Sequence, residues 1–247
     1  MANTSSMLKY VDIFRFYQPR GYVYAIKMVF RVFKEIDLFD QSRRLNTRTI
    51  KKSEMQSKNY MWYSPVYSSV CKEMISIATQ FYDSAVKYSN YGDTKVFIDL
   101  GGGLGKPSII TCEQGTFSRI ISVDLDKELF EEASKNFHKY QKYRAIESVL
   151  SNVESDRDMY KLFRQIFKDY NHNYTLFVFN KNSYNSKVLW KSLKLIHKYG
   201  PKNVIYLYQN PVHSNVLLSS KYRLVATDDK SSNAHKNYKY HLYFRSL

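Results

Sequence analysis

Asp99, Gly101, Gly102, Gly103 and Gly105 follow directly on an apolar run, Val96-Phe97-Ile98. A short β-branched and aromatic run of this kind suits a buried parallel strand. Glycine alone lets the chain turn sharply, take positive φ and come close to a ligand with no Cβ between them. Strand, acid and glycine turn together mark the place where α/β domains hold nucleotide-like molecules. A dinucleotide loop, Gly-x-Gly-x-x-Gly, needs its third glycine at position 106 when counted from Gly101, and Lys106 stands there. A phosphate loop needs glycine at that same position with Lys after it, whereas Lys106 is followed by Pro107. The spacing that holds throughout is Asp-x-Gly-x-Gly-x-Gly on Asp99, Gly101, Gly103 and Gly105.

The elements around this turn alternate. Ser118 to Asp124 predict a second strand that again ends in an acid, Arg144 to Leu150 a third that ends near Asn152, and Tyr174 to Phe179 a fourth that ends in Asn180. Asn203 to Tyr208 make a fifth, and Tyr222 to Thr227 and Tyr238 to Phe244 close the chain with only a loop between them. Helices are expected at Val66 to Lys87, from Pro107 to Cys112, at Lys127 to Tyr140, Asp156 to Tyr170 and Lys187 to Tyr199. The first of these should bury Val70, Met74, Ile77, Ala78, Phe81 and Ala85. The pattern implies an α/β fold, a mainly parallel sheet with one antiparallel strand and helices on both faces. Ligands of such sheets sit outside the carboxyl ends of the strands, so Asp99, Asp124, Asn152 and Asn180 should form one row.

The chain has 247 residues, with 38 basic and 22 acidic side chains and a net charge of +16. That size fits a helical extension over residues 1–60 followed by one domain over 61–247. The charge suits an anionic partner, whether nucleic acid, acidic protein or anionic lipid, though no block of five or more consecutive basic residues concentrates it. Cys71 and Cys112 form no metal-ligand pattern or disulfide framework, so no metal is expected. With no secretory leader or membrane-spanning stretch in view, a cytoplasmic location is the expectation. Gly21 to Phe33 form an amphipathic helix with Val23, Ile26, Phe30 and Phe33 at helical spacing. Packing of that face onto the main domain is expected, with attachment to a membrane surface as the alternative.

The Asp99 to Gly105 pattern resembles the first motif of class I, Rossmann-like S-adenosylmethionine-dependent methyltransferases. The resemblance implies S-adenosylmethionine as cofactor, held by Asp99, Gly101, Gly103 and Gly105. It also gives Asp124 two acceptor oxygens for the ribose hydroxyls, Asp99 the ligand's amino group and Asn152 the adenine. The bland alternatives are a solvated loop carboxylate for Asp124 and a helix cap for Asp99. Leu38-Phe39-Asp40, Arg43 to Thr47, Tyr63-Ser64-Pro65-Val66-Tyr67 and Gln209-Asn210-Pro211 are similar to a poorly characterised bacterial group of that class. Within it, Tyr63 and Tyr67 cover the cofactor or pack the following helix onto the sheet, and Asn180 opens the loop that reads the methyl acceptor. Lys181 and Asn182 depart from the Asn-Pro-Phe that the group carries there. A weaker similarity, in the Tyr-x-Pro segment and the Asn180 loop, is to non-SET protein lysine methyltransferases.

These resemblances imply methyl transfer to an unidentified acceptor, a protein amine or a small molecule, with Asn180 and Tyr63 as the candidate catalytic residues. Displacement at a methyl carbon asks the protein mainly to align the acceptor and exclude water, so no nucleophile or metal cluster is needed. Two other readings stand beside it. One is a binding protein of the same fold without turnover, suggested by Asn152, Lys181 and Asn182. The other is an RNA- or DNA-directed enzyme, suggested by the net charge alone.

Overall fold

In this computed structural model the described residues are 4–47, 66–86, 94–139, 141–170, 174–181, 184–228 and 239–246. Tyr63, Ser64 and Pro65 lie outside them. The sheet runs through β1 (Thr94–Leu100), β2 (Arg119–Asp124), β3 (Ile146–Leu150), β4 (Tyr174–Asn180), β5 (Val204–Gln209), β6 (Arg223–Thr227) and β7 (Tyr240–Arg245). Its strand order is β3-β2-β1-β4-β5-β7-β6. The first five strands of that order pair in parallel, while β7 runs antiparallel to both β5 and β6. The expected single antiparallel strand is therefore β7, inserted between β5 and the edge.

Alternation along the strands sorts the core into two layers. Phe97, Ile120, Phe177 and Ile205 point to one face and meet Val70, Met74 and Ala78 of α4 (Ser68–Phe81), with Ile109 and Ile110 of α5 (Lys106–Gln114) and Phe137 of α6 (Lys127–His138). Val96, Ile98, Ile121, Leu176 and Val178 point to the other and meet α7 (Asp156–Tyr170) and α8 (Ser186–Tyr199). The order of the strands brings the ends of β3, β2, β1 and β4 into one row, which is the crevice edge expected of such a sheet.

The N-terminal region consists of α1 (Thr4–Tyr17), α2 (Tyr22–Val32), a π-helical turn (Phe33–Asp37) and α3 (Leu38–Arg43). Val32, Ile36, Phe39 and Leu45 join the core layer of α4 and α5, whereas Tyr17, Ala25 and Met28 form a small cluster between α1 and α2.

Two expectations need correction. The face of α2 that packs inward carries Ala25, Met28 and Val32; the face expected to pack leaves Val23 68%, Ile26 47%, Phe30 68% and Phe33 39% exposed. Both faces of that helix are apolar, and the smaller side chains allow the closer approach to α1. After Phe81 a π-helical turn, Tyr82–Val86, adds a residue to the repeat, so Tyr82 is buried and Ala85 is exposed. A short helix, α9 (Ser214–Ser219), stands between β5 and β6. Six residues are too few for a readable period.

Candidate functional site

The turn after β1 is shaped by space and by handedness. Gly101, Gly103 and Gly105 have φ of 74°, 55° and 83°. Gly105 precedes α5, and a Cβ there would stand 2.3 Å from Phe137 Cζ as well as in a strained left-handed conformation. Gly102 is required for room alone, because a Cβ would lie 2.2 Å from Ser122 Oγ and 3.3 Å from Asp99 Oδ2. The turn is tied to β2: Gly101 N and Gly102 N both donate to Val123 O, at 2.9 and 3.0 Å.

Asp124, at the end of β2, closes onto the same turn. Its Oδ2 accepts from Gly103 N at 2.8 Å and its Oδ1 from Asp126 N at 2.9 Å. The Leu125 amide also reaches this carboxylate, and with about four lone-pair sites it keeps capacity for a further donor. Burial pushes this carboxyl up, against the pull of the Asp126 and Gly103 amides. Asp126 is the local cap, accepting from Glu128 N and Leu129 N at the start of α6. Asp124 is thus built into the site.

Asp99 is 1% exposed and lies beside Ser122 of β2 and Phe179 of β4. Ser108 Oγ, in the first turn of α5, donates to its Oδ2 at 3.2 Å. Desolvation pushes its pKa up to about 8, with the nearby Asp124 charge adding to the rise. A carboxyl buried beside a second carboxyl, with no cation on it, sits in a place that favours an incoming positive charge.

Asn180 ends β4 and is 1% exposed. Its Nδ2 donates to Leu100 O at 2.9 Å, which clamps the end of β4 to the end of β1, while its Oδ1 is buried with no hydrogen-bond partner. Such an orphaned acceptor costs about 1–3 kcal/mol unless a donor reaches it. Asn152, two residues past β3, uses its Oδ1 to accept from Glu154 N at 2.9 Å, so the oxygen expected to face an adenine is engaged in a local Asx turn. Tyr67 is 5% exposed within the core layer of α4, where it packs that helix onto the sheet.

Several residues of the site escaped sequence reading. Ser108 and Ser122 supply the hydroxyls against Asp99 and Gly102, and small polar residues beside a glycine turn were the available signal. Lys106 entered only as the residue that broke a spacing. It is 1% exposed, its Nζ donates to Glu35 O at 2.5 Å and stands 4.4 Å from the Phe39 ring centroid, and burial pushes its pKa down to about 8. Glu35 in turn accepts from Ser68 Oγ at 2.7 Å and Ser69 N at 2.8 Å, capping α4. The N-terminal segment is therefore pinned to the helix that follows the glycine turn. Lys181, next after Asn180, is partly exposed, and desolvation with the charge of Lys106 pushes its ammonium down to about 7. Among the described residues no group of three or more His, Cys, Asp or Glu side chains could hold a metal ion.

Strand order, the antiparallel β7 and the acid-and-glycine turn at the end of β1 define the class of fold: a Rossmann-like sheet of the class I methyltransferase type. No protein-family model matches the chain, and no curated protein matches it. Solved structures that resemble it include TrmK of M. capricolum in complex with S-adenosyl-homocysteine, at 15% identity and a TM-score of 0.45, over 70% of this chain and 67% of that one. The methyltransferase domain of a bacterial Hen1 is 15% identical, with a TM-score of 0.46 over 71% of this chain and 98% of the domain. A ribosomal protein L11 methylase from Lactobacillus delbrueckii subsp. bulgaricus is 11% identical, with a TM-score of 0.41 over 71% of this chain and 80% of that one. At such identities and scores nothing about activity or acceptor transfers from these proteins to this chain.

Proposed function

We propose that the carboxyl edge of this sheet binds S-adenosylmethionine and that the protein transfers its methyl group to an acceptor, a protein amine or a small molecule. The observation that carries this reading is the junction of Asp124 with the glycine turn: a carboxylate anchored by Gly103 N at 2.8 Å that keeps acceptor capacity for a further donor. A ribose hydroxyl is such a donor. The residues present fit the rest of the cofactor. Gly101 to Gly105 give it a backbone wall without side chains, Asp99 offers a buried carboxyl for an ammonium, and the orphaned Asn180 Oδ1 awaits a donor. The cofactor supplies an electrophilic methyl on a sulfonium.

The protein's own part is alignment and proton management. Asn180 holds the ends of β4 and β1 together beside the site, and the glycine turn is held directly on β2. Lys181 follows Asn180 directly, and desolvation with the charge of Lys106 pushes its ammonium down to about 7; we propose it as the group that takes a proton from an acceptor amine or hydroxyl. Lys181→Met, which removes the amine and keeps the side-chain length, is expected to lower turnover at pH 7 at least tenfold while leaving cofactor affinity within twofold.

Calorimetric titration with S-adenosylmethionine and with S-adenosyl-homocysteine tests the binding half. Asp124→Ala should weaken both by about 1–3 kcal/mol, the worth of hydrogen bonds to a charged group. Absence of heat at millimolar ligand refutes the proposal. A binding protein without turnover is the second reading, motivated by Lys181 and Asn182 after Asn180. It predicts cofactor heat with no labelled methyl incorporated from the cofactor into protein, RNA or small-molecule fractions.

A further inference from the structure

α2 and the turn after it carry an apolar stripe that nothing in the methyl-transfer reading uses. Val23, Ile26, Phe30 and Phe33 are 68%, 47%, 68% and 39% exposed, and Tyr22 at the start of the helix is 63% exposed. At about 100° per residue, these side chains share an arc of roughly 100°, and the stripe runs about 15 Å along the axis. The adjoining arc holds Lys27, Arg31 and Lys34, all exposed, and Ala25, Met28 and Val32 occupy the buried remainder. From Ile13 to Lys34 the sequence has Arg15, Arg20, Lys27, Arg31 and Lys34, and no Asp or Glu. Those five basic residues are all exposed.

A stripe of exposed Val, Ile and Phe beside an uninterrupted basic rail has one natural counterpart: the boundary between acyl chains and anionic headgroups, where apolar side chains enter the hydrocarbon and Lys and Arg stay at phosphate level. A nucleic acid would meet the charges and leave the phenylalanines against water. A second copy of this chain docked stripe to stripe would set the same basic residues against one another. Among the described residues no helix is long and apolar enough to cross a membrane, so the contact would lie in the plane of the surface. We propose that α2 docks the protein, face down, on an anionic lipid bilayer.

The hairpin is well placed to hold the protein there. Tyr10 and Phe14 of α1 lie against Phe33 and Tyr22, with ring centroids 6.3 and 6.1 Å apart, and so brace both ends of the stripe. Two residues beyond Phe33, Glu35 O receives Lys106 Nζ. The docked helix thus ends within a turn of the contact that seats α5 behind the glycine turn.

The test is flotation of the full chain with vesicles of phosphatidylcholine alone and with one third phosphatidylglycerol, at low and high salt. The expected result is partition into the anionic vesicles at least tenfold above the neutral ones, weakening as salt shortens the reach of the charges. The double variant I26S/F30S should lose at least tenfold in partition with its thermal unfolding unchanged, since both side chains are exposed. K27Q/K34Q, which removes two of the five basic residues, should lose a measurable part of the salt dependence and keep the fold. No partition of the native chain overturns the proposal, as does partition that I26S/F30S leaves intact, which would reflect net charge alone. A concentration-dependent dimer abolished by I26S/F30S, without vesicle binding, would assign the stripe to a second copy and equally overturn it.

Discussion

Replacing Asp99 with Asn separates what the buried carboxyl does for stability from what it does for binding. In the folded chain its pKa is pushed up to about 8 from the usual 3.8, first by desolvation and then by the neighbouring Asp124 charge. Between those two values the folded protein keeps a proton that the unfolded chain has released. The contribution is therefore fully present below pH 3.8 and is lost progressively as pH rises to 8. At about 1.36 kcal/mol per unit, the window of roughly three units below pH 7 amounts to about 4 kcal/mol of lost stability at that pH. Asn has the same shape and no charge to desolvate, and its side-chain oxygen can still accept from Ser108 Oγ. The D99N protein should match the native one near pH 4 and exceed it by about 4 kcal/mol at pH 7, read as urea midpoints across a pH series. Binding should move the opposite way. On the proposed reading the cofactor's ammonium meets an ionised Asp99, so calorimetry at pH 7 in buffers of different ionisation enthalpy should show release of close to one proton by the native protein and none by D99N, with weaker affinity in the variant. Parallel stability curves for the two proteins, or cofactor binding without proton release by the native chain, would refute this account of Asp99.

Two further outcomes follow from the same geometry. Gly102→Ala places a methyl 2.2 Å from Ser122 Oγ and should destabilise by about 1–3 kcal/mol. Adding Ser122→Ala should restore at least half of that, a non-additivity that a double-mutant cycle in denaturant would measure. His197 of α8 stacks on Tyr222 with centroids 5.5 Å apart, its Nε2 buried without a partner, and desolvation with the Arg245 and Lys221 charges pushes its pKa down to about 4. Its folded pKa lies below the unfolded 6.5, so stability should fall as pH drops from 6.5 to 4, by up to about 3 kcal/mol, and His197→Phe should flatten that slope in urea titrations at each pH.

Much of the fold was legible because the periods are clean. The helix over Asp156 to Tyr170 has the bounds its pattern predicts, and the strand ending in Asn180 is fully buried, as a continuous apolar run implies. Where reading failed, a local pattern met two compatible outcomes. α2 is apolar on opposite faces, and only packing against α1 selects Ala25 and Met28 for the interior. The π-helical turn at Tyr82–Val86 changes the repeat without a glycine or proline to announce it. Asn152, expected beside an adenine from its place after β3, also accepts from the amide two residues on, a local contact. Side chains that reach nearby backbone settle their partners by local geometry, which residue type leaves open.

The sequence by itself determined the glycine turn, the acid before it and the alternation of strands and helices, because backbone freedom at glycine and the burial of apolar runs are properties of nearby residues. Tertiary structure alone decided the rest of the site. It set Asp124 on Gly103 from 21 residues away, seated Lys106 against Glu35 across 71, and clamped Asn180 to Leu100 across 80. Each of those contacts joins groups whose chemistry is visible in the chain, but their meeting depends on strand order, and strand order is a property of the whole sheet.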